Sequence, residues 1–333
     1  MSRRIARRNL KKEKLEESVE EDEVERSVQF GAELKNDSIP FKSKYSQDPQ
    51  KIIGLFEDAF KYILESPDLE QHIQSVKGDL FNRDYLAAFN NDDKRFAYAS
   101  RWTPARALAY SSLFASLEPL RCMLSDSEAS SKVLCVGGGA ASELVGLGAV
   151  FCKLKQDYPA TASNLHVDIV DIADWSTVVT NLTHNIKTKW LYDENKFNSK
   201  FMYRDILTMN ATELDLANLD LVTLLFTTNE LFCEKRTETI KFLQNLNTHC
   251  KKGGYLLIAE SAGSYSNITI GNKKFPVQFL IDMVLIGKPG TDSGAWKIVQ
   301  QSESCWYRVN QRELKYNMKL ENMRFFFRLY QKK

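Results

Sequence analysis

Val133-Leu134-Cys135-Val136-Gly137-Gly138-Gly139-Ala140-Ala141-Ser142-Glu143-Leu144 decides the fold. A short apolar run breaks into three glycines and then opens an apolar helix over residues 144–154. Glycine suits such a turn because the chain must reverse tightly and a side chain would block a ligand approaching the backbone. The helix that follows offers free N–H groups and a positive dipole end to that ligand. A purely structural strand–helix turn is the alternative, and the flanking sequence weighs against it.

Downstream, the apolar runs alternate with helical patterns. Strands are expected at 133–136, 165–170, 200–203, 219–226 and 255–259, with helices over 175–190 and 234–250. Short apolar runs without strict alternation suit parallel strands buried on both faces. Sheets of this kind bind ligands beyond the carboxyl ends of their strands. Two aromatic and β-branched runs, 304–309 and 323–330, then read as a closing antiparallel hairpin. The expected fold is α/β and Rossmann-like, a mostly parallel sheet closed by a C-terminal hairpin. That ending resembles class I S-adenosylmethionine methyltransferases more than nicotinamide dehydrogenases.

Upstream, residues 48–131 read as a helical N-terminal unit ahead of an α/β domain over 132–333. Residues 51–64 and 75–89 carry apolar residues at helical spacing, and Asn90-Asn91-Asp92-Asp93 reads as a turn. Thr103 is the expected N-cap of a helix running to Leu120, with Pro104 in its first turn. Residues 1–47 read as a disordered, charged tail: residues 1–14 carry seven Lys/Arg and one acid, and residues 16–25 seven acids and no base. The basic stretch from Arg3 to Lys12 suits a nuclear address, an RNA-binding arm or a solvated tail.

Composition excludes several classes. A 333-residue chain with 43% hydrophobic and 26% charged residues is that of a globular protein. Six cysteines show no CxxC spacing and there are four histidines, so no metal site is expected and the thiols read as reduced. No apolar run approaches a membrane span; the nearest, residues 279–286, is interrupted by Asp282, and no signal-peptide core opens the chain. A soluble intracellular protein with no membrane attachment is expected.

A dinucleotide fingerprint would place a third glycine or alanine where Ser142 stands, and an acid about twenty residues on. The nearest strand-end acid, Asp171, lies farther along. A methyltransferase turn matches better: Gly137 and Gly139 stand in place, Ala141 replaces the third glycine, and Cys135 stands where an acid commonly precedes the turn. Asp171, ending the second strand, can accept both hydroxyls of a ribose, or cap a helix, a role Asp174 could also fill. Asp205, after the third strand, suits an adenine amine contact or an N-cap. The fourth strand ends in Phe226-Thr227-Thr228-Asn229-Glu230, where acceptor side chains could hold a nucleophile in line. Thr228, Asn229 and Glu230 are the candidate catalytic residues, with Glu230 a general base and helix capping by Thr228 or Asn229 the alternative. Arg106 is a candidate for the cofactor's carboxylate, or for a structural ion pair.

Taken in order, the basic N-terminus, Arg101-Trp102-Thr103-Pro104-Ala105-Arg106, the turn from Gly137 to Glu143, the Phe226 to Phe232 segment and Lys274-Phe275-Pro276-Val277-Gln278-Phe279-Leu280 resemble the fungal 25S rRNA uridine-N3 methyltransferases over most of residues 48–330. The resemblance implies S-adenosylmethionine as cofactor, large-subunit rRNA or a preribosome as partner, and a nuclear or nucleolar location, with the cytoplasm as a second compartment. It places Gly137, Gly138, Gly139, Ser142, Asp171, Asp205 and Arg106 around the cofactor. Rival readings are a small-molecule or protein methyltransferase of the same fold, and a non-catalytic RNA-binding assembly factor.

Methylation at uridine N3 needs loss of an imide proton and no covalent intermediate, whereas C5 chemistry would need a cysteine nucleophile, for which Cys233 is placed. Arg308, Arg312, Lys315, Lys319, Arg324 and Arg328 punctuate the closing hairpin, and Lys273-Lys274 follow an expected turn at Gly271-Asn272. These are candidate phosphate contacts. Phe325, Phe326 and Phe327 pattern as hairpin core, with base stacking the alternative.

Overall fold

The computed structural model describes residues 32–33, 38–126, 130–157, 163–191, 193–262, 267–270, 273–288, 290–291 and 293–333. The basic stretch of residues 3–12 and the turn at 271–272 lie outside them, as do the side chains of Lys273 and Lys274. Two short strands come first, β1 (Ala32–Glu33) and β2 (Ser38–Ile39). A run of helices follows: α1 (Pro49–Ala59), α2 (Lys61–Leu64), α3 (Leu69–Phe81), α4 (Tyr85–Ala88), α5 (Asp92–Arg101), α6 (Thr103–Ser116) and α7 (Glu118–Ser125). The alternating part is β3 (Ser131–Val136), α8 (Ser142–Asp157), β4 (Leu165–Asp171), α9 (Ser176–Trp190), β5 (Phe197–Tyr203), β6 (Leu221–Leu225), α10 (Thr228–Glu234), α11 (Arg236–His249) and β7 (Tyr255–Ser261). A small hairpin, β8 (Asn267–Ile270) and β9 (Lys273–Pro276), and α12 (Val277–Leu285) precede the long closing strands β10 (Trp296–Tyr307) and β11 (Met323–Lys332).

The main sheet runs β1-β10-β11-β7-β6-β3-β4-β5, with β2 also on β10. The strands from β5 to β7 are parallel, and β11 is antiparallel to both β7 and β10. One apolar core, including Leu144, Leu147, Phe151, Leu182 and Phe325, fills the face covered by α1, α6, α8 and α9. A second, including Phe232, Leu243, Ile281 and Tyr330, fills the face covered by α10, α11 and α12.

Local chemistry sets the helix starts. Asp48 accepts from Gln50 N and Pro49 opens α1. Asn91 accepts from Lys94 N as the cap of α5, so of the four polar residues expected as a turn Asp92 and Asp93 begin the helix, at its positive end. Thr103 is not the cap of α6. It lies inside the helix, buried, and its hydroxyl has no hydrogen-bond partner among the described residues. The helix expected over 75–89 is split by Arg83, which takes a positive φ of 58°. Nor does order start at residue 48. Ile39 is buried where β2 pairs with β10, Ser46 and Gln47 are buried, and Gln47 N donates to Ala149 O at 3.1 Å. Residues 38–47 are therefore stapled to the sheet's edge and to α8, and α1, α5, α6 and α7 share one core with the sheet.

Candidate active site

A cavity of about 410 Å³ opens at the carboxyl edge of the parallel strands, within the usual size range of small-molecule sites. The glycine turn forms its floor. Gly137 has φ 71°, and a side chain there would strike Thr227. At Gly138 a Cβ would meet Glu143 Oε2 at 2.6 Å. At Gly139 it would meet the Trp175 ring at 2.0 Å, so this glycine makes room for an aromatic ring and does not itself line the cavity. Ala141, in place of a third glycine, keeps the left-handed conformation with φ 66°. Ser142 lines the cavity as the first residue of α8.

Asp171 ends β4 facing this turn. Its Oδ2 accepts from Gly139 N at 2.9 Å and its Oδ1 from Ala173 N at 3.0 Å. Burial raises its pKa and those backbone N–H bonds lower it, with the balance upward. Asp174, not Asp171, receives Ser176 N at the start of α9. Asp205 lines the cavity too, but both its oxygens are engaged: Oδ1 by Leu207 N at 2.9 Å, Oδ2 by Lys235 Nζ at 2.7 Å. Arg106 reaches the cavity from α6 and donates to Tyr98 Oη at 2.6 Å.

The loop after β6 divides its three candidates. Glu230 lines the cavity; its Oε2 accepts from Tyr85 Oη and stands 4.0 Å from Arg83. Thr228 and Asn229 do not line it. The Thr228 hydroxyl donates to Glu260 Oε2 at 3.3 Å and Asn229 N donates to the same oxygen at 3.1 Å. The start of α10 faces β7, whose Glu260 carboxylate takes the cap's place and holds Thr228 inward. The expectation that these two residues meet the substrate is corrected by that geometry. Cys233 is exposed and outside the lining.

The structure adds residues to which the sequence reading assigns no role. Glu143 is 2% exposed, and its Oε1 accepts from Thr223 Oγ1 at 2.6 Å. Burial pushes its pKa up to about 8, Thr223 holding it down and Asp171 adding to the rise. No hydrogen bond to its Oε2 occurs among the described residues. The carboxyl stands beside Cys135: a Cβ placed on Gly138 would meet both, the Cys135 Cβ at 3.0 Å. A carboxyl from the helix start thus stands beside the strand position that Cys135 fills, and its signal was a lone carboxylate in an apolar helix start. Tyr85, Phe89, Tyr98, Tyr110 and Trp175 supply an aromatic wall, with Phe89 and Trp175 centroids 4.6 Å apart. Periodicity cannot separate such a wall from core, since both are buried aromatics.

In the hairpin, Phe325, Phe326 and Phe327 are buried, which removes base stacking. Arg328 is buried as well, held by Glu303 and by Asp282 at 3.7 Å, so it is no phosphate contact.

A parallel sheet with β3 at its centre, a glycine turn at that strand's end, an acid ending the next strand and a closing antiparallel hairpin define a class I S-adenosylmethionine-dependent methyltransferase. The family described as "Putative SAM-dependent methyltransferase" matches residues 56–331, and the chain belongs to it. It is 48% identical over 326 residues to the 25S rRNA (uridine(2843)-N(3))-methyltransferase of Saccharomyces cerevisiae, covering 88% of each chain. Two solved structures are more distant matches. The N-methyltransferase NodS of Bradyrhizobium japonicum is 15% identical, with 78% of this chain and 98% of that one covered and a TM-score of 0.36. The Haemonchus contortus phosphoethanolamine N-methyltransferase 1 is 15% identical, covering 79% of this chain and 48% of that one at a TM-score of 0.39.

Proposed function

We propose that this chain methylates N3 of a uridine in large-subunit rRNA. The identity of 48% across 88% of both chains to the yeast enzyme carries the reading. The substrate implies action during ribosome assembly, and a nuclear or nucleolar location is expected from that.

The cavity suits the cofactor group by group. Asp171 lines the cavity with each oxygen held by a backbone N–H, from Gly139 and from Ala173, and a carboxylate oxygen can accept a second donor such as a ribose hydroxyl. Glu143 brings a carboxyl oxygen without a partner, which suits the methionine ammonium, and Arg106 supplies a cation for the carboxylate. Asp205, shared with Lys235, bounds the adenine end. The cofactor, when bound, supplies a methyl group made electrophilic by the sulfonium.

Glu230 is the proton acceptor in this reading. Its Oε1 has no hydrogen-bond partner among the described residues, while Tyr85 and Arg83 fix its Oε2. Glu230 would take the imide proton that uridine N3 loses on methylation, the methyl group being supplied by the cofactor when bound. No covalent enzyme–RNA bond is required.

For RNA contact, Trp306 stands between Arg308, 4.2 Å from its ring centroid, and Arg324, at 5.7 Å. Neither arginine has an ion-pair partner among the described residues, and β10 ends at the same edge of the sheet as the cavity. That arrangement suits phosphates beside the reacting base.

The test is transfer of labelled methyl to transcribed large-subunit rRNA, with the product nucleoside identified. Glu230→Gln should slow single-turnover transfer at least tenfold, within the general-base range, at unchanged cofactor affinity. Label in protein or small molecules but not RNA would overturn the substrate. A rate within about threefold of the parent would remove Glu230 as base.

A further inference from the structure

A second depression, of about 380 Å³, lies between residues 42–51 and the C-terminal half of α8. Lys42, Lys44, Lys51 and Lys153 line it against one carboxylate, Asp48. Asp48 is committed to Gln50 N, at 2.9 Å, and stands 3.8 Å from Lys42. Lys42 also pairs with Glu313 at 2.6 Å, and Lys153 with Asp157 at 2.7 Å. Lys44 lies over the Tyr45 ring, and neither it nor Lys51 has an ion-pair partner among the described residues.

Ser46 and Gln47 also belong to this lining, at 6% and 3% exposed. Ser46 Oγ and Gln47 Nε2 have no hydrogen-bond partner among the described residues. Buried donors without partners are uncommon in folded proteins and mark a missing acceptor. Two uncharged donors in the same lining as two unpaired ammonium groups suit a tetrahedral oxyanion.

The depression is remote from the chemistry but joined to the hairpin. Lys153 stands eleven positions beyond Ser142 in α8, about 17 Å along the helix axis. The connection leaving β10 reaches it: Glu313 meets Lys42, and Lys315 exchanges hydrogen bonds with Gln50 at 2.8 and 3.1 Å.

We propose that this depression binds a backbone phosphate of the RNA substrate, anchoring the RNA away from the base that is methylated. The proposal rests on the RNA reading above. Lys44 and Lys51 neutralise charge, while Ser46 and Gln47 donate to phosphate oxygens. Such contacts fix register without reading sequence.

Full-length protein, the Lys44→Gln/Lys51→Gln double variant and Gln47→Met would be compared by two measurements. Fluorescence anisotropy with a labelled large-subunit rRNA fragment is read across salt concentrations, and melting temperature is read with inorganic phosphate against chloride of equal ionic strength. The double variant should weaken RNA binding at least fivefold and flatten the log–log salt slope by about 0.7–0.9, because one phosphate is no longer neutralised. Cofactor affinity should not change. Gln47→Met should hold or raise the melting temperature, because an orphaned amide is removed, while the phosphate-induced rise shrinks. A glutamine that merely packs would not separate those two effects.

RNA affinity within twofold and an unchanged slope would overturn the proposal. If phosphate protection disappears while RNA binding is unaffected, the site takes free phosphate and the RNA assignment is wrong. A parent that binds cofactor but no RNA sinks the substrate reading itself, and the phosphate measurement then reports whether the depression takes an oxyanion at all.

Discussion

Replacing Glu143 with glutamine keeps an acceptor for the Thr223 hydroxyl and removes the charge that burial opposes. A carboxyl moved from its ordinary value of 4.5 to about 8 has its charged form penalised by about 5 kcal/mol, at about 1.36 kcal/mol per pH unit. The sign follows from proton binding. Between pH 4.5 and about 8 the unfolded chain has released this proton while the folded chain keeps it, so the folded state binds more protons and stability falls as pH rises. The destabilisation is absent below pH 4.5 and levels off above about 8. Asp171 from β4 adds to the rise and Arg106 from α6 opposes it, while the Glu143 charge in turn raises the Cys135 thiol and the Tyr110 hydroxyl that face it. Glu143→Gln should therefore melt with the parent near pH 5 and above it at pH 7.5, by about 3 kcal/mol or roughly 4 °C. The assay is thermal melting of cofactor-free protein from pH 5 to 8.5. The same variant should bind S-adenosylmethionine more weakly, because the acid that meets the ammonium is gone. A gap between the two proteins that does not widen with pH would refute the claim that Glu143 is held protonated.

Asp171→Ala should weaken S-adenosylmethionine binding by about 1.5–3 kcal/mol, the scale of hydrogen bonds to a charged group; calorimetry within twofold of the parent would remove the ribose role. Gly139→Ala drives a methyl into the Trp175 ring and should cost about 1–3 kcal/mol of stability, read by denaturant melting, so a neutral result would mean the turn can shift. Cys233→Ala should keep most activity, since the thiol is exposed outside the cavity, and an adduct with 5-fluorouridine RNA that vanishes in this variant would point to C5 chemistry.

The strand–glycine–helix passage and the closing hairpin were legible because their signals are local. Strand runs at 133–136 and 165–170 match β3 and β4 to within two residues at either end. Helix boundaries in the first third were less so. Asn91 reads equally as turn residue or cap, and only packing of Ala97, Tyr98 and Ala99 decides for a helix. In the cavity lining, Asp171 and Glu230 are legible from their places at or just after a strand's end. Thr228 and Asn229 are indistinguishable from them in sequence, because the Glu260 carboxylate that takes their hydrogen bonds comes from a strand formed about 30 residues later.

By itself the sequence determined the class of fold, the turn at the cofactor end and the aromatic hairpin, because periodicity and glycine placement constrain the backbone over a few residues. Only the tertiary structure decided which polar groups face the cavity and which charges stand free. Glu143 meets Thr223 across 80 positions, Tyr85 meets Glu230 across 145, and Lys315 meets Gln50 across 265. Burial and pairing, which set the pKa of a carboxyl and the availability of a lysine, arise from contacts at those separations, and no local pattern encodes them.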